Sequence, residues 1–297
     1  MVKQLEVEIQ TIAVRRIAWR RIWARKIRIS TALNYGVLSI GAFLMMFPFI
    51  WMMLSAFKLP QEIIAYPPVW IPSHPTLDSF IRVWTQVNFD RFFLNSLFVA
   101  SVVTVTVLYT SALVGYVLAK YEFPGRDLIF LAVLSTMMVP WPVLLIPSYV
   151  MTVRFHIINS YWALIIPGLF STFGIFLMRQ YMHSIPIELI DAARIDGASE
   201  FYIFHRIVFP LCLPVAAALG IFTFMWNWDS FLWPLIVISR EDLYTLPLGL
   251  AMFVGQWFTD YAGVMAGTAI TVIPVVIVFL LLQRYIVEGI TMTGLKA

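Results

Sequence analysis

Six long apolar runs, each with at most one charged residue, constrain this chain more than any other feature of its sequence. A bilayer core takes roughly 20 apolar residues in helical form. The runs cover residues 31–57, 92–119, 128–153, 157–178, 207–238 and 261–283. Only the fifth holds a charge, Asp229. The expected fold is all-α and integral to a membrane, a domain of six transmembrane helices over residues 31–287. A basic arm (1–30) precedes it and a short tail (288–297) follows. The third run contains Pro140, Pro142 and Pro147. Prolines at that depth free backbone carbonyls that neighbouring helices or trapped water must satisfy, so this span is expected to be broken and buried in the bundle.

Composition and charge agree with that reading. Only 12% of the 297 residues are charged and 61% are hydrophobic, too little charge to cover a soluble domain. Eight of the twenty basic residues lie in the arm: Lys3, Arg15, Arg16, Arg20, Arg21, Arg25, Lys26 and Arg28. A basic arm could bind nucleic acid. Beside a membrane span it is better explained by anionic lipid headgroups on the cytoplasmic side, and Trp19 and Trp23 among the charges suit an interfacial helix. With six spans both ends share one side. Placing them in the cytoplasm puts fifteen Lys and Arg inside and five outside (Lys58, Arg82, Arg91, Arg154, Arg240). No short apolar core with a small-residue cleavage site opens the chain, so a cleaved signal peptide is not expected. Cys212 is alone and sits in an apolar stretch, which offers neither a disulfide framework nor a thiolate metal site.

The longest polar interruption after the first loop is 179–206. Within it Pro186 suits the first position of a helix, with Glu188 and Asp191 in the first turns near the positive end of its dipole. Gly197 supplies a left-handed stop, and a second short helix can begin at Ser199. Ala192, Ala193 and Ala198 are small enough for another surface to approach closely. A solvated connector would be shorter, since such links in bundles run to a few residues. A stiff loop of this length is expected to dock a partner.

At this point the chain resembles the permease subunits of binding-protein-dependent ABC importers, in particular the maltose-type carbohydrate permeases. The family signature is Glu-Ala-Ala, three residues, Gly, and about nine residues later Ile-x-Leu-Pro. Here Asp191-Ala192-Ala193 precedes Gly197, and Ile207-Val208-Phe209-Pro210 follows. Asp191 stands where the family usually has Glu, and Phe209 where it has Leu. The similarity extends to Tyr121-Glu122-Phe123-Pro124-Gly125-Arg126, Trp226-Asn227-Trp228-Asp229-Ser230-Phe231-Leu232-Trp233-Pro234, Thr245-Leu246-Pro247-Leu248-Gly249 and Glu288-Gly289-Ile290-Thr291. The resemblance implies a subunit of the bacterial inner membrane that pairs with a second, homologous but non-identical permease. It also implies a dimer of ATP-binding subunits and an extracytoplasmic solute-binding protein. ATP and Mg would bind the ATPase partners, with no cofactor or metal on this chain. Residues 186–201 would form the coupling helix seated in an ATPase cleft, through Glu188, Asp191, Ala192, Ala193, Asp196, Gly197, Ala198 and Phe201. The tail from Glu288 would also be cytoplasmic.

Asp229 is a lone acid in an apolar run, and such a group costs about 2.5–3.5 kcal/mol at the bilayer centre unless it faces protein or water. Trp226, Asp229, Ser230 and Trp233 fall at offsets of zero, three, four and seven, one face of a continuous helix. With Asn227 they are candidates for a substrate pathway or gate, because rings beside hydrogen-bonding groups suit a sugar. The alternative places Trp228 and Trp233 in the outer aromatic belt. Asn95, Ser96, Thr104, Thr106, Thr110 and Ser111 in the second run are expected to be interhelical contacts rather than ligands.

Other classes fit poorly. The chain has no Gly-Lys dipeptide, hence no Walker-type phosphate loop, and neither a nucleophile elbow nor a His-Glu-x-x-His helix. It is not expected to be an enzyme. A self-contained secondary transporter would carry several intramembrane charges or an inverted repeat, and neither is visible.

Overall fold

The computed structural model describes residues 31, 33–86, 88–255 and 259–294. The basic arm, with its expected interfacial helix, and residues 295–297 of the tail lie outside the described residues. The chain divides into two compact units, Met1–Ser55 and Ala56–Ala297. The first contributes most of helix α1 (Leu33–Ala56), an uncharged helix long and apolar enough to cross a bilayer.

The second unit is helical, and among the described residues it has no strand, only an isolated bridge between Val254 and Thr259. Two short helices, α2 (Pro60–Ile63) and α3 (Asp78–Gln86), occupy the first loop. Helix α4 (Phe89–Lys120) follows; its 32 residues give a rod about 48 Å long with no proline to bend it. Then come α5 (Arg126–Thr136) and α6 (Trp141–Arg154), bent by 96°. Helix α7 (Tyr161–Ile165), a 3₁₀ turn (Ile166–Gly168) and α8 (Thr172–His183) are bent by 40°. The polar loop holds α9 (Ile187–Ile195) and α10 (Glu200–Ile203). A π-helical turn (Phe204–Val208) and α11 (Phe209–Leu211) lead into α12 (Leu213–Trp228), with a bend of 78°. Short helices α13 (Leu232–Val237) and α14 (Leu246–Leu250) precede α15 (Tyr261–Gly294). Among the described residues three helices can span unaided, and counting each bent pair as one span gives up to six.

Helix α4 organises the unit, packing along α8 and α12, and α12 packs in turn on α15. The α4–α8 crossing is close because small residues meet there. A Cβ on Gly115 would lie 2.8 Å from the Met178 Cβ and 2.9 Å from the backbone nitrogen of Arg179. With no hydrophobic drive between helices in lipid, such backbone proximity is what holds them together. Hydroxyls and an amide add to it. The Asn95 amide donates to the carbonyls of Asp242 (3.0 Å) and Tyr244 (2.9 Å), and the Tyr161 hydroxyl donates to its oxygen (2.6 Å). Ser96 accepts from the Leu246 N–H at 2.7 Å, and Thr110 reaches the Leu169 carbonyl at 3.3 Å. Thr106 bonds only within its own helix, to Val102.

Two sequence expectations need correction. The third span is broken but not buried: no residue of α5 is buried and only Thr152 of α6 is. Pro140 and Pro142 begin α6, where a missing N–H costs nothing, and only Pro147 lies inside the helix. The fifth run is not one continuous helix but is broken at Cys212 and after Trp228. The last span agrees with the expected 261–283, since Tyr261–Leu281 is apolar enough to cross, and its helix runs on to Gly294.

Candidate functional site

The polar loop is a braced helix–turn–helix. Pro186 is the cap of α9 rather than its first residue (φ −59°, ψ 135°), which starts the helix at Ile187. Ile190 and Ala193 are buried and anchor α9 to the bundle. At its far end Gly197 adopts φ +80° and donates to the Arg194 carbonyl, while Ala198 donates to Ala193. These two bonds satisfy carbonyls that a helix end would leave unpaired. Ser199 then caps α10 by accepting from the Tyr202 N–H at 3.3 Å.

Electrostatic ties fix this hinge. The Arg194 guanidinium donates to Asp191 (3.0 Å) within α9 and to Glu200 Oε1 (2.7 Å) across the turn. Glu200 Oε2 accepts from the hydroxyls of Tyr116 (3.3 Å), on α4, and Tyr121, just beyond its end. The Arg194 hydrogen bond, followed by that of Tyr121, holds the Glu200 carboxyl below its ordinary range. Partial burial, then the Glu200 contact, pushes the Tyr121 phenol up. The Tyr116 ring meets Tyr121 edge to face and lies tilted against Phe204, and Lys120 Nζ donates to the Ile185 carbonyl. The loop is therefore bound to the terminus of α4 from both of its helices.

Of the nominated loop residues, Glu188, Asp191, Ala192, Asp196, Gly197 and Phe201 are exposed, Ala198 is half-buried and Ala193 faces inward. Ile195 (86% exposed) and Phe201 (69%) stand out among the carboxylates. Both are apolar side chains exposed on a braced, polar-rimmed loop. Arg194, Glu200, Tyr116 and Tyr121 were not nominated from sequence. Arg194 and Glu200 are six residues apart across a turn, a spacing that no helical rule selects.

About half-way along α4 a cavity of about 500 Å³ opens, with Val99 and Val107 of α4 in its wall. Trp226, Asn227, Ser230 and Trp233 also line it, together with Trp141 and Gly168. Asp229 does not; it is the exposed C-cap of α12. Because α12 stops at Trp228, the expected single helical face does not exist, and Ser230 and Trp233 reach the cavity from the next segment instead. Trp228 and Trp233 are not an outer belt. Trp228 is fully buried and donates to the Thr271 carbonyl (3.1 Å), and buried Trp233 donates to Ala163 (2.9 Å).

Comparison with known proteins gives a consistent result. Residues 111–292 match the family described as "Binding-protein-dependent transport system inner membrane component". The chain is 38% identical to the arabinooligosaccharides transport system permease protein AraQ of Halalkalibacterium halodurans, over 86% of this chain and 92% of that one. It is 34% identical to the lactose transport system permease protein LacG of Rhizobium radiobacter, over 88% and 95% of the two chains. Its fold is similar to a chain of a bacterial ABC transporter involved in the import of the acidic polysaccharide alginate. The TM-score is 0.79 at 22% identity, covering 87% of this chain and 96% of that one.

Proposed function

Given that the chain belongs to the binding-protein-dependent transport system inner membrane components, a family of ABC importer permeases, we propose that it forms half of the translocation pathway for a carbohydrate, a di- or oligosaccharide or related sugar. Import is driven by ATP hydrolysed in separate subunits, and this chain is not itself an enzyme. The loop 186–201 seats in a cleft of an ATP-binding subunit. Closure of two such subunits draws their loops together and rocks the membrane halves between inward- and outward-facing states. The other half is a homologous, non-identical permease, and an extracytoplasmic solute-binding protein delivers the sugar. Both ends of the chain lie in the cytoplasm of a bacterial cell.

The observation that carries this reading is the bracing of α9 and α10 onto α4. A displacement applied at Ile195 or Phe201 passes through Arg194, Glu200 and Tyr116 to a helix whose middle, at Val99 and Val107, walls the cavity. A slack linker would absorb that motion. The test is purification from the native membrane followed by reconstitution. Co-elution of an ATPase pair and a second permease, with uptake that needs ATP and the binding protein, supports the proposal. Uptake by this chain alone, driven by an ion gradient, overturns it.

A further inference from the structure

The wall of the cavity carries no charge. Among the described residues no Asp, Glu, Lys, Arg or His lines it. Its polar groups are the amide of Asn227 and hydroxyls such as Ser171 and Ser230. Asn227 Nδ2 is held by the Thr223 carbonyl at 2.8 Å, so its Oδ1 is the atom left to accept from a ligand. Ser171 Oγ accepts from the Gly174 N–H at 3.0 Å and keeps its own proton to donate. The rest is apolar, part aliphatic (Val99, Val107, Leu164, Leu219) and part aromatic. Trp141 and Trp233 meet edge to face at 5.9 Å, and Trp233 has already committed its N–H to Ala163, so its ring acts as wall. Trp226 is 76% exposed, an indole with most of its face uncovered.

We propose that this cavity admits uncharged saccharides and turns away those bearing carboxylate or phosphate groups. The inference rests on the carbohydrate-permease reading and adds the chemical class of the cargo. A neutral sugar ring has C–H faces that lie on indole and a rim of hydroxyls that exchange hydrogen bonds with amide and hydroxyl partners. A volume of about 500 Å³ is within the range of sites for ligands of this size. An anionic sugar would give up hydration here without meeting a cation from this chain's wall, and an unpaired ion costs far more to desolvate than a hydroxyl does. The nearest acid in sequence, Asp229, stands between Trp228 and the lining residue Ser230 and has the same sign as such a substrate.

The assembled transporter, purified with its ATP-binding subunits but without the solute-binding protein, allows a direct test by saturation-transfer NMR. The neutral probes are lactose, maltose, cellobiose, maltotriose and arabinobiose, and the anionic ones digalacturonate and glycerol 3-phosphate. Signal is expected from neutral probes and not from anionic ones. Trp226→Ala should weaken the neutral signal by about three- to tenfold, the scale of one aromatic contact, and Trp226→Phe should restore most of it. Ser230→Arg should bring in the anionic probes. Equal binding of both classes, no binding of either, or a Ser230→Arg variant with unchanged preference overturns the inference. ATP-driven uptake with the binding protein present is measured alongside. If uptake of a panel member persists while the NMR result fails, only charge selection falls; if nothing in the panel is taken up, the importer reading falls with it.

Discussion

Glu200 accepts from Arg194 Nε at 2.7 Å across the turn at Gly197, joining two helices that share no continuous backbone helix. Because the second oxygen of the same carboxylate accepts from Tyr116 and Tyr121, one side chain links both halves of the polar loop to α4.

Glu200→Gln keeps an acceptor for the tyrosines but loses the ion pair. Both partners are partly exposed, so the cost in stability should be small, within the ~0–1 kcal/mol of surface pairs. Coupling should suffer more. Sugar taken up per ATP hydrolysed, measured in proteoliposomes, is expected to fall while ATPase activity persists.

Protonation tests the same tie. Glu200 titrates below its ordinary 4.5 because its charged form is held by Arg194 and Tyr121. A group with a depressed folded pKa contributes its stability above the unfolded value and loses it as pH falls through the folded one. Amide hydrogen exchange at Gly197–Tyr202, corrected for intrinsic rates, should therefore stay constant from pH 7 to pH ~5 and accelerate only below the usual carboxylate range.

Gly197 has open space around its Cα but a φ of +80°. Gly197→Ala therefore meets backbone strain rather than a clash, about 1–2 kcal/mol. Gly197→Asn, which tolerates that region, should cost less. Uptake and thermal unfolding measured together should rank the three as Gly, Asn, Ala.

At Gly115 the obstacle is steric. The added methyl meets backbone at Arg179, which cannot swing aside, so Gly115→Ala should pry α4 from α8 at about 1–3 kcal/mol. A lowered melting temperature of the purified protein in detergent would register it.

Sequence made the loop legible because its punctuation is chemical: only glycine readily takes the φ of Gly197, and Ser199 is a strong N-cap. Hydropathy could not find the break after Trp228, since the run remains apolar on both sides of it. It likewise could not tell that Trp228 caps the core by bonding Thr271, for an indole at a span end looks the same in a belt. The four residues of the Glu200 hub come from α4, the segment after it and the two loop helices, so their meeting is a property of the fold rather than of any spacing.

The central claim is that 186–201 faces the cytoplasm and is covered there by an ATP-binding subunit. Cys212 is buried, so an Ile195→Cys variant reports its own position with little background. A membrane-impermeant maleimide should label it in inside-out vesicles stripped of ATP-binding subunits, leave intact cells unlabelled, and be blocked when those subunits are added back. Labelling of intact cells would contradict the account.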